Sequence, residues 1–297
     1  MSSGSVAAPA RGPARQGRTV RRWLRRNRNA VRLVGALAVL VIMLFPVYWM
    51  VISALKTDKT LFTNPPYFYP PSPQWGFFWN TVETYARPLL NSAVISLSAT
   101  IFALLICVPG AYALAKMNLP NGLVNVLLVV VLAVQVFPTI MLVPPLYQMA
   151  TQVQALNHYW TLAILDSMYS VPFGLLVLRT FMLGIPDSLR EAALVDGATE
   201  ARVFFRIIIP NAKPGIATVM IFAFLFAWGD FVFGLTFTNG SGIQPITVSL
   251  YDVLGQNTQS WELLMALGTL LAIPAVLAVL GAQRALRQGV AGFGVER

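Results

Sequence analysis

The chain's densest run of patterned chemistry reads E-A-A-L-V-D-G-A-T-E-A-R-V-F-F-R-I-I-I-P-N-A-K-P from Glu191 to Pro214. Ser188 and Glu191 stand three apart, the spacing of a capping box in which hydroxyl and carboxylate satisfy free amides at a helix start. Leu189, Ala192, Ala193 and Asp196 then recur at helical spacing, and the alanines leave a thin face that a partner can approach closely. Gly197 suits the left-handed residue that ends such a helix. After Ala198, Thr199 can cap a second helix, on which Phe204, Ile207 and Ile208 form an apolar stripe. Arg202 and Arg206 share another face, and Pro210 closes the segment. This is the chemistry of recognition. The expected docking set is Ser188, Glu191, Ala192, Ala193, Asp196, Gly197, Ala198, Phe204, Ile207 and Pro210. An amphipathic helix lying on a membrane surface would explain the stripe and the arginines. It would leave the alanine pair, the glycine break and the spacing to Pro210 unexplained.

Bond-making chemistry has few candidates. The chain has no G-x-x-x-x-G-K-[S/T] phosphate loop. One His and one Cys exclude a zinc site or a His-based triad, so no metal site and no catalytic residue are expected. Asp166 and Asp230 lie in otherwise apolar runs, and intramembrane carboxylates usually face a bundle interior or a cavity. Asp230, beside Trp228, suits a hydroxyl-rich ligand, and it equally suits a hydrogen bond to a neighbouring helix. Asp166 is placed to reach headgroup water. Asn91 and Gln135 either face a translocation path or hold helices together. Asn91, Gln135, Trp228 and Asp230 form the candidate substrate pathway.

The elements that must carry these residues are membrane spans. Of 297 residues, 57% are apolar and 11% charged, against roughly a quarter charged in soluble domains. Apolar runs of about 20 residues read as spanning helices, whose backbones satisfy themselves in lipid. Six are expected, at 33–55, 89–115, 122–147, 159–183, 215–237 and 263–283. Strand-period alternation is absent, which disfavours a barrel.

The net charge of +10 is a topology signal. Eighteen of the 21 Lys and Arg fall in the N-terminal tail, at Lys116, between Arg179 and Lys213, and after Arg284. Only Lys56, Lys59 and Arg87 lie in the alternate loops. The positive-inside rule places both termini in the cytoplasm. The distribution gives no nucleic-acid partner; the nine Arg from Arg11 to Arg32 can touch anionic membrane lipid. Residues 1–20 are rich in Ala, Gly, Pro, Ser and Arg and are expected to be disordered. The run from Leu33 is too long for a signal peptide and has no cleavage site. Cys107 reads as a small buried hydrophobe. The outer loop 56–88 interleaves five prolines with Tyr67, Phe68, Tyr69, Trp75, Phe77, Phe78 and Trp79. Proline there favours extended geometry. The rings suit an interfacial belt, a contact for an extracytoplasmic partner, or both.

The 191–210 segment resembles the signature loop of permease subunits of binding-protein-dependent ABC importers. That pattern is Glu-Ala-Ala, a Gly three residues on, nine residues, and Ile-x-Leu-Pro. Here the Gly is Gly197 and the close is Ile207-Ile208-Ile209-Pro210, with Ile209 in place of Leu. The resemblance runs from about Leu33 to the C-terminus and is nearest to the second permease of maltose-type sugar importers. Phe45-Pro46, Ser53-Ala54-Leu55-Lys56, Ala227-Trp228-Gly229-Asp230-Phe231 and Trp261-Glu262-Leu263-Leu264-Met265-Ala266 carry it. So does Gln288-Gly289-Val290-Ala291-Gly292-Phe293-Gly294-Val295.

The resemblance implies an all-α membrane protein: six transmembrane helices in the type I ABC importer permease fold, with a cytoplasmic coupling-helix loop. Residues 1–32 would be a basic tail, 33–285 the permease domain with its coupling loop at 184–213, and 286–297 a cytoplasmic tail. Gly289, Gly292 and Gly294 would reach between ATPase subunits. The 187–210 segment would sit in a cleft on the ATPase and transmit its closure. The chain would be non-catalytic and hold no cofactor; ATP and Mg would be bound by partner ATPase subunits. Its partners would be a homologous second permease, two copies of an ABC ATPase, an extracytoplasmic solute-binding protein and a carbohydrate, in a bacterial cell membrane. The expected cargo is a di- or oligosaccharide such as maltose or trehalose; glycerol-3-phosphate also has carriers of this type. The rivals are an ion-coupled secondary transporter of a small polar solute, for which inverted repeats are missing, and a membrane transferase, for which clustered acids are missing.

Overall fold

A computed structural model describes residues 16–292 apart from Asn118, Asn239 and 256–259, with side chains described over 30–283. All regular structure among the described residues is helical. In chain order the helices are α1 (Gln16–Ser53), α2 (Asp58–Leu61), α3 (Trp75–Thr84), α4 (Ala86–Lys116), α5 (Asn121–Val136), α6 (Thr139–Gln152), α7 (Tyr159–Leu183), α8 (Asp187–Val195) and α9 (Glu200–Val203). A wide π-turn (Phe204–Ile208) leads into α10 (Ile209–Asn211), followed by α11 (Lys213–Trp228), α12 (Val232–Phe237), α13 (Ile246–Gly255) and α14 (Trp261–Gly292).

Four stretches are long and apolar enough to cross a membrane alone: Ala30–Ser53, Ala86–Lys116, Tyr159–Leu183 and Trp261–Gln283. Two bent helix pairs bring the number to six if each pair is one span. The expected spans at 122–147 and 215–237 are therefore not straight helices. The first is bent by 97° between α5 and α6. Phe137 takes an extended conformation and Pro138, which has no N–H, caps α6. The second ends at Trp228, and α12 restarts after Gly229, Asp230 and Phe231. The helix leading from Glu200 to Asn211 meets α11 at 75°. Residues 16–20, expected to be irregular, already belong to α1, while 1–15 lie outside the described residues. From Pro65 to Pro73 the prolines do exclude helix, but α3 begins two residues after Pro73, and Pro88 lies in the first turn of α4.

The centre is α4 lying along α7, with α11 packed across both and α14 against α11. Small residues let these axes close. A Cβ on Gly174 would come within 2.6 Å of Cys107 Sγ and 2.8 Å of Val219 Cγ1. One apolar core joins Cys107, Ala111 and Tyr112 to Leu178, Met182 and Val219, and continues into the 185–212 segment through Ile185, Val203, Ile208 and Ala212. A second core at the opposite end gathers Ile95, Leu162, Phe233 and Phe237. A third lies beneath α13, between Ile246 and Leu267.

Span hydroxyls mostly serve their own helix. Ser96, Thr100, Ser170, Thr218, Thr236 and Thr269 each donate to the carbonyl four residues back, the local bond that hides a hydroxyl in an apolar setting. By contrast, the apolar window of Ala30–Ser53 has none of its residues buried in this chain.

Candidate docking loop and intramembrane polar residues

α8 begins at Asp187, two residues earlier than the capping-box spacing predicts. Pro186 occupies the cap position and makes no side-chain bond. The Ser188–Glu191 box is absent because the start of α8 is fixed from outside. Lys116 Nζ, at the end of α4, donates to Ile185 O and to Asp187 Oδ1, both at 2.5 Å. Ser188 thus falls inside the first turn, and it stands exposed together with Glu191.

The other end of α8 follows the expectation. Gly197 has φ +80°. Ala198 N donates to Ala193 O at 2.9 Å and Gly197 N to Leu194 O at 3.0 Å, the paired bonds of a Schellman close. Thr199 Oγ1 then accepts from Arg202 N and caps α9. The second helix departs from regular α form over Phe204–Ile208, where Ile209 N bonds back to Phe204 O. The wide turn lies directly before Pro210, whose missing N–H leaves a helix carbonyl without its ordinary partner. Asn211 Nδ2 donates to Ile207 O at 2.7 Å in the same turn.

The structure divides the docking set in two. Ala193, Ala198, Phe204 and Ile207 pack against the α4–α7–α11 core, and the Phe204 ring lies 5.0 Å from that of Tyr112. Ser188, Glu191, Ala192, Asp196, Gly197 and Pro210 face outward. The outward face also carries three apolar residues outside the expected docking set: Leu189, 45% exposed and already noted at helical spacing, Val195, 87%, and Phe205, 65%. The even mixture of Val195 and Phe205 with polar neighbours gives no periodic signal by which to choose them. A Cβ on Gly197 would meet nothing within 4 Å.

Charge ties this loop down. Arg190 pairs with Glu200 Oε1, and Tyr112 Oη donates to Glu200 Oε2 at 2.7 Å. The Tyr112 bond, seconded by Arg190, holds the Glu200 carboxyl below its ordinary range. Lys116, by hydrogen bond and by charge, does the same to Asp187.

The candidate pathway residues fare differently. Asn91 is buried and fully used: Nδ2 donates to Gly242 O at 3.1 Å and Gln244 O at 2.9 Å, and Oδ1 accepts from Tyr159 Oη at 2.6 Å. These bonds tie the 242–244 segment and α7 to the start of α4. Trp228 Nε1 donates to Leu271 O at 2.9 Å. Asp230 Oδ2 accepts from Gly234 N at 3.0 Å, capping α12, and its carbonyl accepts from Thr247 at 2.6 Å. Gln135 is exposed on the last turn of α5, at the break. Asp166 does not reach the surface; it is 1% exposed and its Oδ1 has no partner. A groove of about 1030 Å³ lies between α4, α11 and α14, lined by Leu97, Ile101, Met220, Phe224 and Trp228 among others. Its lining is almost wholly apolar and offers little to a polyhydroxylated ligand. Gly289 and Gly292 lie within α14, and Gly294 falls outside the described residues. Among the described residues no group of His, Cys, Asp or Glu could hold a metal ion.

Among the described residues, the chain is a bundle of long apolar helices with an exposed helix–glycine–helix loop at one end. The family described as binding-protein-dependent transport system inner membrane component matches residues 107–292, more than half of the chain, and the chain belongs to it. It is 28% identical over 268 residues to the sulfoquinovosyl glycerol transport system permease protein SmoH of Agrobacterium fabrum, covering 90% of this chain and 93% of that one. It is 29% identical to the diacetylchitobiose uptake system permease protein DasC of Streptomyces coelicolor, covering 89% and 95%. Among solved structures, a chain of a bacterial ABC transporter involved in the import of the acidic polysaccharide alginate superposes with TM-score 0.70. That match covers 93% of this chain and 99% of the other at 19% identity, a likeness of fold. The protein is a multi-pass cell-membrane permease subunit of an ABC importer and is non-catalytic. Family membership displaces the ion-coupled reading.

Proposed function

We propose that this chain forms half of the translocation path for a glycoside of di- or oligosaccharide size, and that the outward face of 187–210 receives the closure of a separate ATPase. The observation that carries the docking part is the geometry at Gly197: positive φ, full outward exposure and open space beyond its Cα. Leu189, Val195 and Phe205 of the same loop add apolar surface that the chain itself leaves uncovered. In this reading two copies of the ATPase bind ATP and Mg, a homologous second permease packs on the apolar groove, and an extracytoplasmic solute-binding protein delivers the cargo. Both ends of the chain are cytoplasmic, as the 18-to-3 distribution of Lys and Arg supports. Glycoside cargo is supported by the relatives' names, which specify sulfoquinovosyl glycerol and diacetylchitobiose; maltose and trehalose belong to the same chemical class.

The test is Gly197→Trp. Left-handed backbone costs a non-glycine residue about 1–2 kcal/mol, and a Cβ at this position meets nothing within 4 Å in this chain. The expected result is normal membrane abundance with the ATPase no longer co-purifying. Retained ATPase would overturn the docking reading, and lost abundance would make Gly197 a folding determinant instead.

A further inference from the structure

Tyr112 and Lys116 stand four residues apart in the last turns of α4, and so share one helix face. Each holds a different part of the loop. Tyr112 Oη reaches Glu200, at the start of α9, and Arg190 of α8 closes on the same carboxylate. Lys116 reaches Ile185 O and Asp187, at the start of α8. The Lys116 side chain is only 3% exposed whereas that of Asp187 is 71% exposed. The ammonium thus lies inside the fold, with both of its bonds spent on the loop's first residues. Arg179 Nε donates to Leu114 O at 3.3 Å, binding α7 to the same turn of α4. Tyr112 and Lys116 themselves are buried and lie off the outward face around Gly197.

We propose that Tyr112 and Lys116 are positioning residues that latch the 187–203 segment to α4, so that loop and helix move as one body. The proposal rests on the docking reading above and adds the path by which a push on the outward face reaches the membrane. Without the latches the loop keeps its apolar packing, which is non-directional, but loses the charge-assisted bonds that fix its orientation. Force applied at Val195 or Phe205 would then rock the loop on its core.

The experiment uses the full complex with its ATPase. Nitroxide labels are placed through Leu105→Cys on the exposed face of α4 and Arg202→Cys on the loop, both exposed in the structure. Cys107 is buried and escapes labelling. In the otherwise unaltered chain the label-to-label distance distribution is expected to be the same without nucleotide and in the ATP–vanadate state. In Tyr112→Phe with Lys116→Met, which keeps the ring and the aliphatic stem, vanadate should broaden the distribution about twofold while the ATPase still co-purifies. An unchanged, narrow distribution in the Tyr112/Lys116 variant overturns the latch. Loss of the ATPase from that variant also overturns it, because the two residues would then shape the docking surface. If the double variant fails to accumulate, Tyr112→Phe alone carries the test, since it deletes one oxygen. An unaltered chain that brings down no ATPase would sink the docking reading instead, and the distance spread without nucleotide would still read the latch.

Discussion

The two ends of the bundle use polar side chains in opposite ways. At the end carrying Lys116, charged groups bind inward to α4 and leave a mixed apolar face uncovered outside, around Val195 and Phe205. At the other end, Asn91, Trp228 and Asp230 are spent on backbone groups of 234–247 and of α14. There the chain must satisfy carbonyls and amides that its own broken helices release, as Asp230 does for α12 after the interruption at 229–231. Polar residues inside a span therefore mark backbone repair as readily as cargo contact. The exposed apolar residues of the loop serve no such repair within this chain, and in the proposed reading they meet the ATPase.

The contrast can be broken by four measurements, given from the largest expected change in thermal stability to the smallest. Asn91→Ala leaves two carbonyls and the Tyr159 hydroxyl unpaired, at about 1–3 kcal/mol for a buried unsatisfied group. A lower melting midpoint with an unchanged KM for the transported sugar is expected, and an altered KM would return Asn91 to the pathway. Trp228→Phe removes the single bond to Leu271 O, worth about 0.5–1.5 kcal/mol, and should lower the midpoint less.

Asp187→Asn probes the other end. Lys116 holds the Asp187 carboxyl below its ordinary value of 3.8. A depressed pKa means that the ionised form stabilises the fold above that ordinary value, and that the contribution is lost as pH falls through the lower folded value. The midpoint difference from the unaltered chain should persist from about pH 8 down to pH 5 and shrink only below the ordinary range. A difference that vanished near neutrality would refute the ion pair. Val195→Ser should change stability by no more than about 0.5 kcal/mol and yet weaken ATPase co-purification. A large stability loss would show that Val195 is core.

Much of this was legible in the chain. The Gly197 close and the Thr199 cap follow from local rules, since a left-handed turn and a helix start each need particular side chains within a few residues. The apolar runs identify the helices because lipid demands self-satisfied backbone. What failed was long-range. The Ser188–Glu191 spacing fits a capping box, but Lys116, some seventy residues earlier, fixes where α8 begins. The bend at Phe137–Pro138 hides inside an unbroken apolar run, because hydropathy does not record direction. Asn91 and Asp230 kept two readings open, since a side chain's type does not reveal which distant carbonyl or amide it will meet. The pattern of Ala193, Phe204 and Ile207 was visible, but only the packing against Tyr112 and Val203 shows that they face the core.

The self-bonded hydroxyls of the spans bear on friction. Between Ser96 and Ala111, the side chains of α4 make one lateral hydrogen bond among the described residues, from the Cys107 thiol to Val171 O at 3.4 Å, and a thiol is a weak donor. The other side-chain contacts described for that stretch are van der Waals packing, with Cys107 seated closely against Gly174, and displacing them requires side chains to repack. Sliding α7 along α4 there would break no strong bond, while both ends of the stretch are pinned. The middle of the seam is thus held by fit of shape, between two rims held by directional bonds.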